Sequence, residues 1–315
     1  MTAAPLTPLD LVGNTPLVEL KRVPRPDGIR LFAKLEGENP TGSIKDRIAR
    51  RLVDEAEQRG VLRPGMTLVE ASTGNTGIAL AMVARQRGYG VRIVLPEGVV
   101  PSVPQILETL GAELVWCPPQ SGTKGAIEMA ERMMLEDPER CFAVQQFKSP
   151  LNIDCHYRTT GSEIVAALDH ADVLVAGIGT GGTLMGVGRR MREAYPGLRV
   201  VGLEPHVGEY LQGLRSLEDA FMPPLLDLEA IDGRWIVSAA ESIRAAKLVA
   251  ETEGILVGIS SGAALHVGLK EAERRRERGG NIVMMFSDSG WKYLPAQPWE
   301  AAKADSPDLD EVHWW

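Results

Sequence analysis

Short runs of apolar residues alternate with longer amphipathic stretches between residues 65 and 286. Apolar runs of four to six residues predict buried strands, and apolar positions that recur at helical spacing predict helices. The predicted strands are 67–71, 91–95, 113–116, 173–176, 199–203 and 281–286, and the predicted helices are 77–87, 104–110, 184–194, 241–253 and 263–278. This alternation predicts an α/β fold in which mostly parallel sheets are covered by helices.

The chain is long enough for two such units, because its 315 residues exceed the roughly 150 of a typical domain. A Pro-Leu-Asn stretch at 150–152 marks the junction. We therefore predict a smaller domain at 46–150, a larger domain made of 1–45 and 151–304, and a tail at 305–315. The tail is acidic and ends in Trp314 and Trp315, whose apolar surface favours docking over a cleft mouth or a subunit interface.

Charge and cysteine content exclude several classes of protein. The 34 basic and 42 acidic residues give a formal net charge of −8, whereas a nucleic-acid binder needs a basic face. Cys117, Cys141 and Cys155 are too few and too scattered for a disulfide framework or a zinc site, so we expect no metal and a reducing compartment. The start of the chain does not have the pattern of a signal peptide, and no apolar run reaches about 18 residues. The sequence therefore predicts a cytoplasmic protein without a membrane span.

A glycine-rich loop follows the predicted strand at 173–176. Its sequence, GIGTGGT at 177–183, contains the pattern G-x-G-x-x-G, and Glu204 lies about twenty residues further on, as in a dinucleotide-binding site. The alternative is a nest of backbone N–H groups that holds a single phosphate monoester. Thr180 and Thr183 favour the monoester, because their hydroxyls add hydrogen-bond donors for a compact anion.

Two other segments place polar groups at predicted helix starts. The loop ASTGNTG at 71–77 offers hydroxyls, an amide and backbone N–H groups, which suit a carboxylate or simply cap the helix. The segment NPTGSIKDR at 39–47 leads into a helix with Lys45 in its first turn. The positive end of a helix dipole disfavours an ammonium ion there, so Lys45 is a candidate for Schiff-base chemistry. A solvated surface lysine is the alternative.

Together these segments resemble a known enzyme family. The motifs are GNTPL (13–17), NPTGSIKDR (39–47), STGNTGIALA (72–81), QQF (145–147), HYRTTG (156–161), GIGTGGTLMG (177–186), EGI (253–255), GISSGA (258–263) and SGWKYL (289–294). They are similar to those of the fold-type II pyridoxal-phosphate enzymes, and within them to the cysteine synthases and cystathionine β-synthases. The similarity is greatest to the cysteine synthase B group, particularly its O-phosphoserine-using branch. The resemblance implies a tryptophan synthase β-like fold, a mobile smaller domain, a cofactor between the domains and a homodimer.

The resemblance assigns roles by position. Lys45 carries pyridoxal phosphate, Asn75 hydrogen-bonds the phenolic oxygen of its ring, and Ser260 faces the pyridine nitrogen. The residues implied to cradle the phosphate are Gly179, Thr180, Gly181, Gly182 and Thr183, and those implied to hold the substrate carboxylate are Ser72, Thr73, Thr76 and Gln146. A neutral hydroxyl at the pyridine nitrogen makes the ring a weaker electron sink than a carboxylate would, which favours expulsion of a β-substituent.

The implied reaction is a β-replacement. Lys45 removes the α-proton of an activated L-serine, the β-substituent leaves to give an α-aminoacrylate, and a sulfur nucleophile adds to form L-cysteine. The donor is O-phosphoserine or O-acetylserine, and the nucleophile is sulfide or the thiocarboxylate of a carrier protein. A sulfur-carrier protein and a serine-activating enzyme are therefore candidate partners. Arg215 is the candidate cation for a phosphate leaving group, and a salt bridge with Glu218 or Asp219 is its alternative role.

Three features depart from the usual family pattern. Ser72-Thr73 stands where Thr-Ser is usual, VPSVPQ at 100–105 replaces an acidic-basic-basic run, and Ser162 replaces a common proline. These departures keep cystathionine formation, serine or threonine dehydration and synthesis of another β-substituted alanine open. A dehydrogenase would leave the segments around Lys45 and residues 71–77 unexplained. A regulatory binding subunit for a serine-activating enzyme is the non-enzymatic alternative.

Overall fold

The structure is a computed structural model that describes residues 5–118, 122–209, 211–218 and 222–296. Within these residues the chain forms two compact units. Unit 1 contains the residues up to Asn14 together with Asn39–Gln146. Unit 2 contains Thr15–Glu38 and the residues from Phe147 onward.

Strands and helices alternate through most of the described chain. The strands are β1 (Leu17–Glu19), β2 (Ile29–Leu35), β3 (Thr67–Ala71), β4 (Gly90–Pro96), β5 (Glu113–Cys117), β6 (Cys141–Ala143), β7 (Val173–Gly177), β8 (Arg199–Pro205), β9 (Gly233–Val237) and β10 (Gly280–Phe286). The α-helices are α1 (Lys45–Gln58), α2 (Asn75–Arg87), α3 (Ser102–Thr109), α4 (Gly122–Glu136), α5 (Leu151–His156), α6 (Ser162–Ala167), α7 (Gly182–Ala194), α8 (Ala239–Glu253) and α9 (Ile259–Arg274). Among the residues described, no helix combines the length and apolar character needed to cross a membrane.

Unit 1 is built on a parallel sheet of four strands in the order β5-β4-β3-β6. Successive residues of a strand point to opposite faces of the sheet. Val69 and Ala71 of β3 therefore share a face, and both belong to an apolar cluster with Ala126 and Ala130 of α4. Glu70, between them, belongs to the other face, and α2 packs against both β3 and β4.

Unit 2 is built on six strands in the order β1-β2-β10-β7-β8-β9, in which β1 runs antiparallel to β2 and the other pairs are parallel. Val173 and Val175 of β7 belong to a large apolar cluster that includes residues of α8 and α9. Leu174, on the opposite face, lies next to Gly188 of α7. Helices therefore cover both faces of the sheet at β7.

The structure confirms the α/β class and the predicted elements, whose ends lie within four residues of the observed ones. Four strands escaped prediction: β1, β2, β6 and β9. In β2 the charged residue Lys34 interrupts the apolar pattern. It is nevertheless buried, because its ammonium group donates hydrogen bonds to the carbonyl oxygen of Thr15 (2.5 Å) and to the carboxylate of Glu163 (2.6 Å). β1 and β6 have only three residues each, too few for a periodic signal.

The two units differ from the predicted domain boundaries at 45/46 and 150/151. Residues 5–14 belong to unit 1, where the guanidinium of Arg50 in α1 donates a hydrogen bond to the carbonyl oxygen of Leu9 (2.6 Å). Residues 39–45 also belong there, because the Asp46 carboxylate in α1 accepts a hydrogen bond from the backbone N–H of Thr41 (2.7 Å). The predicted tail at 305–315 lies outside the described residues.

Candidate active site

The glycine-rich loop of unit 2 joins β7 to α7, and its glycines are required by close packing. Gly181 has φ +86°, a conformation that favours glycine. A Cβ on Gly179 would collide with the carbonyl oxygen of Gly213, and a Cβ on Gly182 would collide with the side chain of Asn152, both well inside the 3.0 Å that real Cβ atoms keep. The loop therefore presents bare backbone at the start of α7, which is the arrangement that binds phosphate groups.

Two buried side chains support the threonines of this loop. The Thr180 hydroxyl oxygen accepts hydrogen bonds from the Asn152 amide nitrogen (3.1 Å) and from the backbone N–H of Gly182 (3.2 Å). The Thr183 hydroxyl is hydrogen-bonded to Nε2 of His156 (3.2 Å), whose Nδ1 is hydrogen-bonded to Thr160 (3.0 Å). Asn152 and His156 are fully buried, and sequence reasoning assigned a site role to neither. In the sequence, Asn152 stands out only as part of the predicted junction at 150–152, and His156 only as part of the HYRTTG motif.

Arg215 and Ser260 occupy defined places in unit 2. The backbone N–H of Arg215 donates to the carbonyl oxygen of Ile178 (2.7 Å), which joins its segment to the glycine-rich loop. The Arg215 guanidinium carbon lies 6.0 Å from the ring centroid of Phe147. Ser260 is the second residue of α9 and is buried. Just before α9, the backbone N–H of Gly258 donates to the carbonyl oxygen of Asp288 (3.0 Å).

Lys45 is the first residue of α1 in unit 1 and is partly buried. The preceding turn is held by the fully buried Asp46, whose carboxylate accepts hydrogen bonds from the backbone N–H and the hydroxyl of Thr41. The backbone N–H of Lys45 donates to the Ser43 hydroxyl (3.3 Å). The helix start predicted for Lys45 is thus confirmed, and its local backbone is held in place by side-chain hydrogen bonds.

Residues 72–77, named the anion loop after the carboxylate that the sequence predicts there, extend from the end of β3 into the first turn of α2 in unit 1. The Ser72 hydroxyl accepts hydrogen bonds from the backbone N–H groups of Gly74 (3.2 Å) and Gly77 (2.9 Å). It therefore acts as a local cap, the alternative that the sequence left open for this loop. Asn75 and Thr76 are the first two residues of α2 and lie at the positive end of its dipole. Thr73, just before the helix, is partly exposed.

Gln146 joins the anion loop to a buried carboxyl group. The Thr76 hydroxyl donates to the side-chain oxygen of Gln146 (2.8 Å), and both residues are buried. The Glu70 carboxyl accepts hydrogen bonds from the backbone N–H groups of Gln145, Gln146 and Ala71 and from the Gln146 side chain. Burial raises the pKa of Glu70 to about 8, although these hydrogen bonds act to lower it. Sequence reasoning missed Glu70, because an acidic residue inside an apolar run carries no signal of its partners.

The chain belongs to the pyridoxal-phosphate dependent enzymes, whose family profile matches residues 8–288. It is 40% identical to cysteine synthase A of Escherichia coli strain K12 over 299 residues, covering 90% of this chain and 92% of that protein. The predicted family is thereby confirmed, and it favours the phosphate-monoester interpretation of residues 177–183 over the dinucleotide one. The narrower similarity to the cysteine synthase B group stays a prediction.

Solved structures support the same family. The structure of O-ureido-L-serine synthase is similar with a TM-score of 0.89 and 36% identity, covering 96% of this chain and 98% of that one. The O-acetylserine dependent cystathionine β-synthase of Helicobacter pylori is similar with a TM-score of 0.84 and 35% identity, covering 93% of this chain and 98% of that one. The α/β fold with two mostly parallel sheets is the fold of this family.

The residues present fit pyridoxal phosphate. Unit 2 offers a loop of bare backbone in which the packing of Gly213 and Asn152 leaves no room for a Cβ at Gly179 or Gly182, flanked by the hydroxyls of Thr180 and Thr183. A cradle of this kind suits a phosphate dianion. Unit 1 offers Lys45, and a lysine amine is what the aldehyde of this cofactor reacts with.

Proposed function

We propose that this enzyme forms L-cysteine by β-replacement, from an activated L-serine and a sulfur nucleophile. The observation that carries the proposal lies in unit 1, where a lysine at a helix start and a hydroxyl-rich anion loop occur in a chain 40% identical to a cysteine synthase A. The lysine supplies an amine for the cofactor, and the anion loop supplies hydrogen-bond donors for the carboxylate of an amino acid. Both are needed for a reaction at the β-carbon of an amino acid.

The proposal gives each predicted residue its role. The cofactor is held by Lys45, Asn75, Ser260 and the loop Gly179, Thr180, Gly181, Gly182 and Thr183. The substrate carboxylate is held by the Thr73 hydroxyl, the Gln146 amide nitrogen and the backbone N–H groups of the anion loop that do not bond Ser72, among them that of Thr76, whose hydroxyl orients Gln146. Ser72 acts by holding the shape of that loop, since its hydroxyl oxygen accepts hydrogen bonds from Gly74 and Gly77 and its hydrogen is donated to the carbonyl oxygen of Gly74.

Bound pyridoxal phosphate supplies the electron sink that makes the α-proton of an amino acid removable. The Nζ atom of Lys45 accepts that proton when the β-substituent leaves, and returns it to the α-carbon after the sulfur nucleophile has added. The carboxylate contacts hold the α-carbon in one orientation toward Nζ during both transfers. The neutral hydroxyl of Ser260 restricts the chemistry to elimination and addition at the β-carbon, because it stabilises extended carbanions less than a carboxylate would.

The donor is proposed to be O-phosphoserine, with O-acetylserine as its competitor. A phosphate carries about −1.5 to −2 charge at neutral pH and needs a cation in its pocket, whereas acetate does not. Arg215 is proposed as that cation: its guanidinium carbon lies 6.0 Å from the ring centroid of Phe147, which directly follows Gln146 in the sequence. The sulfur donor is proposed to be sulfide or a carrier-protein thiocarboxylate.

The test is to mix the purified holoenzyme with O-phosphoserine or O-acetylserine in separate samples and to follow the cofactor absorbance. We expect one donor to shift the absorption band, sulfide to reverse the shift, and L-cysteine to accumulate. Lys45→Ala should abolish the product, and Lys124→Ala, an exposed lysine of the same unit, should leave it unchanged. A band that responds to neither donor would refute cysteine synthesis.

A second candidate is the same β-replacement with another nucleophile. The similarity to an O-acetylserine dependent cystathionine β-synthase and to O-ureido-L-serine synthase supports it, together with the Ser72-Thr73 order. Homocysteine or hydroxyurea supplied in place of sulfide tests it. A product formed faster with either nucleophile than with sulfide would replace the first proposal.

The expected setting of the enzyme follows from the same resemblance. We propose a cytoplasmic homodimer that acts on small-molecule substrates and that receives its sulfur or its activated serine from a carrier protein or a serine-activating enzyme. Gel filtration with light scattering tests the dimer, and co-purification from cells tests the partners.

A further inference from the structure

A buried carboxyl group lies behind the anion loop and has no role in the reaction described so far. Glu70 is the fourth residue of β3 and is only 5% exposed. Burying a carboxyl group is costly unless hydrogen-bond donors surround it. Here the donors are the backbone N–H groups of Gln145, Gln146 and Ala71 and the side-chain amide of Gln146. Most of what Glu70 binds is therefore one short turn, Gln145–Gln146.

This turn is held in an unusual conformation. Gln145 has φ +56°, in the left-handed region that residues other than glycine seldom adopt. Such a conformation persists only where its surroundings fix it. The hydrogen bonds from Gln145 and Gln146 to Glu70 are contacts of that kind, so the position of the turn depends on the carboxyl group.

The same carboxyl group also fixes which way round the Gln146 amide lies. An amide side chain has one oxygen acceptor and one nitrogen with two hydrogens. The oxygen of Gln146 accepts from the Thr76 hydroxyl (2.8 Å), and its amide nitrogen donates to Glu70. Glu70 accepts the hydrogen bonds of all four donors around it, so it takes the amide nitrogen of Gln146 and leaves the amide oxygen for Thr76. A reversed amide would turn its oxygen toward Glu70 and remove one of the four donors that this carboxyl group accepts from.

We propose that Glu70 is a positioning residue for substrate-carboxylate recognition, which acts by orienting the Gln146 amide and the turn that carries it. The inference rests on the proposed function, since it assumes that the Gln146 amide nitrogen donates to the carboxylate of an amino-acid substrate. Glu70 itself touches neither substrate nor cofactor. Its effect reaches the substrate through Gln146 and, one hydrogen bond further, through Thr76.

The test compares two ligands of the holoenzyme by isothermal titration calorimetry. L-serine carries a carboxylate, and ethanolamine is the same molecule without it. In Glu70→Gln the new amide has one acceptor in place of two and presents N–H groups to a turn made of donors. We expect the affinity for L-serine to fall roughly tenfold and the affinity for ethanolamine to stay unchanged. Glu113→Gln is the matched control. Glu113 lies in the same sheet, and its exposed side chain pairs with Arg92, so this change should alter neither affinity.

A double-mutant cycle separates positioning from general stabilisation. If Glu70 acts through Gln146, Glu70→Gln has no further effect on L-serine affinity in a Gln146→Ala background. Additive losses, or equal losses for L-serine and ethanolamine, would overturn the proposal. Thermal unfolding is followed in parallel, and Glu70→Asp replaces Glu70→Gln if the latter does not fold. If the wild-type enzyme binds L-serine no more tightly than ethanolamine, the proposed carboxylate site is wrong, and the proposed function fails with it.

Discussion

Gly182→Ala tests the phosphate cradle most directly, because the structure leaves no space for the added methyl group. A Cβ at this position would collide with the side chain of Asn152, which is fully buried. Asn152 in turn donates a hydrogen bond to the Thr180 hydroxyl (3.1 Å). The alanine must therefore displace Asn152, break this bond and release Thr180 from its position in the loop.

The magnitude follows from three contributions. Replacing glycine by alanine in a helix stabilises by about 1 kcal/mol. Overpacking costs about 1 to 3 kcal/mol, and the lost hydrogen bond costs about 1 kcal/mol. The protein is therefore expected to fold with a free energy of unfolding lowered by about 1 to 3 kcal/mol. A phosphate that loses one good hydrogen bond from Thr180 should bind roughly 10-fold to 100-fold more weakly.

The assay is titration of cofactor-free protein with pyridoxal phosphate, followed by absorbance. Gly188→Ala is the matched control, since it makes the same change in the same helix, six residues further on. Its Cβ would meet the methyl groups of Val200 at 3.2 and 3.3 Å and a methyl group of Leu174 at 3.8 Å, so the neighbours need to give by only a few tenths of an ångström. If the Gly182→Ala variant folds and binds pyridoxal phosphate as tightly as the wild type does, the assignment of residues 179–183 as the phosphate cradle is refuted.

Three further predictions concern the donor, pH and the tail. Arg215→Met should lower kcat/KM for O-phosphoserine at least tenfold and leave that for O-acetylserine unchanged, and equal losses would contradict its proposed role. Burial raises the pKa of Glu70 from 4.5 to about 8, so the folded state keeps a proton that the unfolded chain loses, and the free energy of unfolding should fall as pH rises through this range. The fall is at most about 5 kcal/mol, and urea unfolding at several pH values should show it in the wild type but not in Glu70→Gln. Removing residues 306–315 should change kinetics, stability or oligomeric state, and no change in any of them would discard the docking hypothesis for Trp314 and Trp315.

Much of the fold could be predicted because its signals are local. Apolar runs of four to six residues marked the central strands, and Gly88, with φ +76°, ends α2 in the left-handed conformation that glycine adopts readily. The loops at 71–77 and 177–183 were recognisable for the same reason, since hydroxyls and glycines stand directly between a strand and a helix. Lys34 shows the limit of such local signals. A charged residue inside an apolar run argues against a buried strand unless the partners that neutralise it are known, and these come from elsewhere in the chain.

The order of residues along the chain was enough to identify the family, the two sheets and the loops that present backbone N–H groups. It was not enough to identify the side chains that hold those loops in shape. Asn152 lies 28 residues from Thr180, and Gln146 lies 70 residues from Thr76. No periodicity or turn chemistry connects positions so far apart, because each pair meets only when separate strands and helices have packed. Glu70 is buried by the same packing, and its hydrogen bonds to the Gln145–Gln146 turn follow from the folded sheet rather than from its neighbours in sequence.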